Sequence, residues 1–156
     1  MSFDRNDPDD LLALKTEINT DPLGLGYDTD GNSAVLVGVI NETNPAFIVS
    51  KPKISSAAVR SATTFDAYDG VLADAQEWLR WMTGSNGFEE ENLIVTPDLR
   101  TQLTGPGSVS IWAAGETVEM NAAMLALIDI PGSRAEILWG FGTSISEQDW
   151  YAARDS

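Results

Sequence analysis

Residues 20–34 read TDPLGLGYDTDGNSA, and the reading of this stretch decides the fold. Glycines that cradled a phosphate would follow a strand and make the chain α/β. A phosphate cradle needs G-x-x-x-x-G-K-[ST], or G-x-G-x-x-G between a strand and a helix. Gly24 and Gly26 instead follow a helical pattern, and no lysine comes after them. A calcium loop needs oxygen ligands at positions 1, 3 and 5, glycine at 6 and a bidentate glutamate at 12. Counted from Asp28, the glycine falls at the fourth position as Gly31, the sixth is Ser33 and the twelfth is Val39. Neither site is supported. What remains is a joint: Asp21-Pro22 and the glycines stop one helix, and Asn32 or Ser33 caps the next.

The same punctuation continues in both directions. Leu11, Leu14 and Ile18 have helical spacing behind Asp9 and Asp10, whose charge suits the positive end of a helix dipole. A second helix is expected from about Asn32 to Ile40, with a strand as the alternative because Val35, Val37 and Val39 are β-branched. NPAFIVSKPKIS, residues 44–55, is extended, since its two prolines break any helix. Ser55 or Ser56 caps a short AAVRSA helix. Asp69 to Met82, DGVLADAQEWLRWM, has the clearest apolar stripe in the chain, and Gly84 follows it as a stop. Residues 84–92 form an acidic loop with Glu89, Glu90 and Glu91. Thr96-Pro97-Asp98 begins another helix with proline at its first position. Residues 115–129 form a further helix, expected to be buried through Val118, Ala122, Leu125 and Ile128. Ser133 and Ser146 cap two final helices, the first with Glu136 in capping-box position. The expected fold is therefore all-α, a small bundle of six or seven short helices with extended proline-containing connections. Residues 1–8 form a flexible acidic arm and residues 9–156 a single helical domain.

Composition narrows the chemistry. The 156 residues are 43% hydrophobic, a globular value, and no apolar run approaches the about 18 residues of a membrane span. Cysteine and histidine are both absent. This removes thiolate metal sites, disulfides, cysteine nucleophiles and the commonest general base near neutral pH. A zinc enzyme or a Ser-His-Asp hydrolase is not available. No catalytic residue, metal or cofactor is expected, and a hydrolase using carboxylates alone has only the abundance of Asp and Glu behind it. The net charge of −15, from 24 acidic and 9 basic residues, opposes sequence-specific binding to nucleic-acid phosphates. The charge instead suits solubility, or a passage through which DNA slides without sticking. The N-terminus lacks the basic-then-apolar layout of a secretion signal.

Candidate contact residues are few. Lys51 and Lys53 flank a proline in an extended stretch and could grip an acidic partner or a phosphate. Trp78 and Trp81 fit a helix core. Trp112, Trp139, Trp150 and Tyr151 raise the question of core or contact, since five tryptophans are many for this length and aromatic side chains are enriched at subunit contacts.

Three segments also occur in a telling order. LKTEINTDPLGLGY stands near the start, ISSAAVRSATTFDAYDGV in the middle and SRAEILWGFGTSISEQDWYAAR at the end. Together they resemble a family of small helical proteins of tailed bacteriophages. Members open with LK-x-E-x-x-x-DP-x-x-x-GY and close on SRAE-x-L-(W/F)-G-x-G-T before an acidic helix ending in Ala-Arg. The likeness runs from Leu11 to Arg154. It departs after Tyr27, where DTDGNS replaces a Met-(Ser/Thr)-Asp helix start. The resemblance implies a virion structural protein of the head–tail interface, assembled in the host bacterial cytoplasm. It would form a connector or head-completion ring of about a dozen copies between portal and tail or neck proteins. DNA would pass through its bore without sequence-specific binding, and no membrane would be involved. The alternatives are a capsid decoration or minor capsid protein, and a non-virion assembly chaperone.

Overall fold

The computed structural model describes residues 2–63, 92–105, 110–112 and 117–156. The helix expected over residues 69–82, with Trp78 and Trp81, and the acidic loop with Glu89–Glu91 lie outside the described residues. The elements run α1 (Pro8–Thr20), α2 (Ser33–Asn41), β1 (Asn44–Ser50), β2 (Lys53–Ser55), α3 (Ser56–Ala62), β3 (Asn92–Ile94), α4 (Pro97–Thr104), α5 (Thr117–Ile128), β4 (Asp129–Gly132), α6 (Arg134–Trp139) and α7 (Glu147–Asp155).

The all-α expectation is corrected by the strands. The described residues are 54% helical and 14% strand, so the fold is mixed α/β with two small antiparallel sheets. β1 pairs with β4, and β2 pairs with β3 in the register Lys53–Ile94, Ile54–Leu93, Ser55–Asn92. The sequence shows why residues 44–55 leave the helical state but not where their backbone groups find partners. Extended backbone needs those partners, and they come from far along the chain. Asn92–Ile94 supplies one partner strand, and Asp129–Gly132 supplies the other where a helix end and a stop are expected.

Several helix joints fall where expected, with Asn32, Ser55, Thr96, Ser133 and Ser146 as caps, whereas α1 begins at Pro8, inside the stretch expected as an arm. Asp7 caps α1 by accepting the Asp9 N–H, and Pro8 occupies the first turn. Asn32 caps α2 through the Ala34 N–H. The helical alternative prevails for α2 because Leu36, Val37 and Ile40 are buried on one face, outweighing the propensity of its valines. Thr96 caps α4 through the Leu99 N–H, and Ser133 and Ser146 each close a reciprocal capping box, with Glu136 and Asp149. In α5 the buried face differs from expectation. Thr117, Met120, Met124 and Ile128 face inward, whereas Val118 is 85% exposed and Ala122 lies at the surface. The TVEMNAAMLALI segment is apolar almost all round, so periodicity alone sets no phase, and packing against α3 and α4 chooses the face.

The chain divides into two compact units, Met1–Val49 with Pro131–Ser156 (unit 1) and Ser50–Ile130 (unit 2), where a single domain over residues 9–156 is expected. Unit 2 is thus inserted into the sequence of unit 1. The core of unit 1 is built from Leu14, Ile18, Leu36, Val37, Ile40, Ala135, Trp139, Ile145, Trp150 and Ala153. That of unit 2 is built from Ile54, Val59, Leu99, Leu103, Trp112, Met120, Met124 and Ile128. Among the described residues, no helix is long and apolar enough to cross a membrane.

Gly132 shows how tightly unit 1 closes on itself. A Cβ there would stand 2.6 and 2.8 Å from the two methyls of Val49 and 2.9 Å from Glu136 Oε2. Gly132→Ala is expected to cost about 1–3 kcal/mol of stability through overpacking, read as a lowered urea midpoint with an unchanged m-value.

Candidate functional site

Two of the three segments that carry the phage resemblance, LKTEINTDPLGLGY and SRAEILWGFGTSISEQDWYAAR, meet in unit 1, around Glu17. This residue lies in α1 beside Leu14 and Ile18 on the buried face, and its side chain is 6% exposed. A carboxylate so placed needs a counter-charge, and Arg134 at the start of α6 supplies one. Its Nε and Nη2 donate to Glu17 Oε1 and Oε2, both at 2.8 Å, in a planar two-point contact. The Tyr27 hydroxyl donates to the same Oε1 at 3.3 Å. Burial, followed by the Glu17 charge and its hydrogen bond, raises the Tyr27 phenol well above its ordinary range, so it remains a donor. Glu17, Tyr27 and Arg134 come from the LKTE, DPLGLGY and SRAE stretches respectively.

The DPLGLG turn explains its own glycines. Asp21 sits in the left-handed region at φ 40°. Its carboxylate accepts the N–H of Leu25 at 2.7 Å and of Gly26 at 2.8 Å, and the Gly26 bond chiefly holds it below the ordinary carboxylate value. Gly24 and Gly26, at φ 67° and 86°, turn their amides inward. The loop does cradle an anion with backbone N–H groups, but the anion is its own aspartate. The following DTDGN turn is likewise self-contained. Asp28 accepts the Asp30 N–H at 3.2 Å, and a Cβ on Gly31 would sit 2.2 Å from the Asp28 carboxylate.

Around α6 and α7 the carboxylates are again structural. Glu136 accepts the Ser133 N–H at one oxygen and the Gly142 N–H at the other, both at 2.9 Å, tying the GFGT loop to the helix start. Asn41 and Ile145 exchange two hydrogen bonds at 2.7 and 2.9 Å. The N-terminal residues expected as a loose arm are docked. Phe3 packs edge-on against Trp139 with ring centroids 5.2 Å apart. Arg5 donates to Asp149 at 2.7 Å and to Gln148 at 3.2 Å. A cleft of about 470 Å³ lies between these residues and the Phe141–Ser144 loop. Burial raises the Asp149 carboxyl, but hydrogen bonds from Ser146 and from Arg5 outweigh it and hold the group below its ordinary value.

The expected contact residues do not form one site. Trp112 is buried in unit 2, its indole N–H donating to the Leu103 carbonyl at 2.8 Å. Trp139 and Trp150 are buried in unit 1, and Trp139 donates to Asp10 at 3.0 Å. All three indoles are packed within the chain's own cores. Tyr151 is 39% exposed, with its hydroxyl 2.6 Å from Ser33 Oγ and the Arg154 guanidinium 5.1 Å above its ring. Lys51 is half-buried and lines a cleft of about 390 Å³ in unit 2 with Ser50, Pro52, Val95, Thr96, Pro97 and Arg100. Lys53 is exposed on β2. Arg100 is committed to Asp129, donating from Nη1 at 2.8 Å and also from Nη2, while Ser50 donates to the same carboxylate. The Arg100 hydrogen bonds, helped by Ser50, hold Asp129 below its ordinary value.

Glu17, Asp21, Tyr27 and Arg134 were not expected as a cluster from the residues alone. The signal available was their position inside the segments that carry the resemblance. No family model matches the chain, and neither the curated proteins nor the solved structures contain a match.

Arg134→Leu leaves the Glu17 carboxylate buried without its counter-charge and is expected to cost about 3–5 kcal/mol. Glu17→Leu with Arg134→Leu should cost less than Arg134→Leu alone, and urea unfolding of the four proteins of the cycle checks both statements. Asp129 and Asp149 define a pH dependence. Each has a folded-state pKa below the reference value of 3.8. Their contribution to stability is therefore complete above that value and is lost as pH falls through the lower folded values. Stability measured from pH 5 downward should decline most steeply below about pH 4, and less steeply in D129N and D149N.

Proposed function

We propose that this chain is a structural protein of a tailed-bacteriophage virion, a connector ring at the head–tail interface that works by assembly around the DNA channel. The observation that carries the reading is the convergence at Glu17. The LKTE, DPLGLGY and SRAE stretches, which bear the resemblance, are also the stretches that hold unit 1 together through Glu17, Tyr27 and Arg134. The residues on which the resemblance rests are thus occupied with architecture, as a protein acting through its shape requires. Several carboxylates of the described residues are used in the same manner, Asp7, Glu136 and Asp149 at helix caps and Asp129 as an ion-pair partner. The net charge of −15 adds a second support. A ring whose inner wall carries such surplus charge repels the DNA backbone and lets it pass.

Copy number in purified particles tests the assignment. Quantitative mass spectrometry against the portal protein should find about a dozen copies per virion, the stoichiometry of a single ring. Hundreds of copies would make it a decoration protein instead, and absence from particles that assemble only when the gene is present would make it a chaperone.

A further inference from the structure

The end of α6 leaves large apolar side chains in water. Ile137, Leu138 and Phe141 are 40, 37 and 44% exposed within five residues of each other, beside the buried Trp139 against which Phe3 packs. None of the three belongs to the core of unit 1. Apolar side chains exposed singly are ordinary, but several together beside a concave surface mark a contact site. The concave surface here is the cleft of about 470 Å³. Phe141 and Thr143 line one part of it, and Phe3, Asp4 and Arg5 line another.

Charge selects what can sit there. Asp4, Asp7 and Asp9 are exposed and Asp10 is half-buried. The Asp4 N–H donates to the Asp10 carboxylate at 2.8 Å and the Asp7 N–H to the Asp4 carbonyl at 3.0 Å, which holds these carboxylates at one corner of unit 1. Arg5 is the one cationic side chain among the described residues lining the cleft, and it is spent on Asp149 and Gln148. Every charged side chain of unit 1 lies among the described residues, 13 acidic against 4 basic. Residues 50–130 add 11 acidic against 5 basic over the full sequence. A second copy of this chain is therefore acidic on both of its units and is repelled from this corner, as are nucleic-acid phosphates. The complementary occupant is at once basic and apolar.

We propose that the Ile137–Leu138–Phe141 face and its cleft form a docking surface for a basic amphipathic segment of a different protein. Apolar side chains of that segment cover Ile137, Leu138 and Phe141. Its Lys or Arg side chains enter the cleft toward Asp4 and lie against the Phe141 ring, whose face attracts a cation. The inference deepens the ring reading and rests on it for the segment's place in the particle, on a neighbouring virion protein rather than on another copy of the ring. The surface itself stands on unit 1 alone.

The test uses the full chain and a fluorescently labelled amphipathic peptide of leucine and lysine. Two peptides of equal length serve as comparisons, one with glutamate in place of lysine and one with serine in place of leucine. Fluorescence anisotropy should give the leucine–lysine peptide about tenfold or more the affinity of either comparison. Its addition to ¹⁵N-labelled protein should move the amide resonances of residues 2–6 and 137–144. Ile137→Ser with Phe141→Ser should weaken binding about tenfold, and so should Asp4→Asn with Asp9→Asn, each with unchanged circular dichroism. Both aspartates are exposed, so the second variant tests the surface even where the first unfolds. Asp28→Asn with Glu42→Gln removes the same charge elsewhere in unit 1 and should leave the affinity within about twofold of wild type. Absence of binding, resonance shifts centred elsewhere, or equal weakening by the Asp28 and Glu42 changes overturns the proposal. Self-association seen by light scattering and abolished by Ile137→Ser with Phe141→Ser also overturns it, since a second copy is then the occupant. Copy number in particles judges the ring reading separately, so a chain that binds the peptide here yet is absent from virions loses the ring and keeps the surface.

Discussion

The Glu17–Arg134 ion pair sets the geometry of unit 1. Its energetic role is specificity more than net stabilisation. Removing two charges from water costs several kcal/mol each, and their mutual attraction only roughly repays this. Arg134 meets Glu17 at two oxygens, so the α6 start can sit against α1 in one rotation only. Tyr27 adds a third donor and thereby places the end of the DPLGLGY turn. The remaining close contacts of the unit surround this placement. Gly132 passes under Val49 with no room for a methyl, and Glu136 spans from the α6 cap to the Gly142 loop.

The acidity of the chain has two physical components. One set of carboxylates is consumed in architecture: Asp7, Glu136 and Asp149 satisfy backbone N–H groups at helix starts, where an anion also meets the favourable end of the helix dipole, and Asp21 satisfies those of the turn that follows α1. Glu17 and Asp129 are held by arginines. The second set, including Asp9, Asp28, Asp30 and Glu42, is exposed and holds no ion pair among the described residues. Only this second set is available to act at a distance. On the proposed reading, DNA repulsion draws on it. The same division explains why a glycine-rich turn beside aspartates looks like a ligand site in one dimension. Its N–H groups are oriented to hold an anion, and the chain supplies that anion from Asp21.

The tryptophan count misleads in a related way. Five tryptophans suggest a surface built for partners. Trp112, Trp139 and Trp150 are instead 3–4% exposed. Two small cores each need large side chains to exclude water, and an indole covers much apolar area while its N–H reaches a nearby acceptor. Leu103 and Asp10 supply those acceptors for Trp112 and Trp139. Residue type signals burial and binding equally well, and only the available neighbours separate the two.

Local chemistry was legible in the sequence because its causes are local. Ser133 with Glu136, Asn32, and Pro97 after Thr96 mark helix starts within four residues of the groups they satisfy. Asp21 with Gly24 and Gly26 marks a stop in the same manner. The prolines around Lys51 rule out helix there. Tertiary structure decided whatever depended on a distant partner. It decided which strands pair, because β1 and β2 find β4 and β3 far along the chain. It decided which face of α5 is buried, because a helix apolar all round has no preferred side until α3 and α4 are against it. It divided the chain at Val49 and Pro131. Above all, it made Glu17 a buried ion-pair partner, since a glutamate in α1 is an ordinary surface residue until Arg134 arrives, 117 positions later, to share its site.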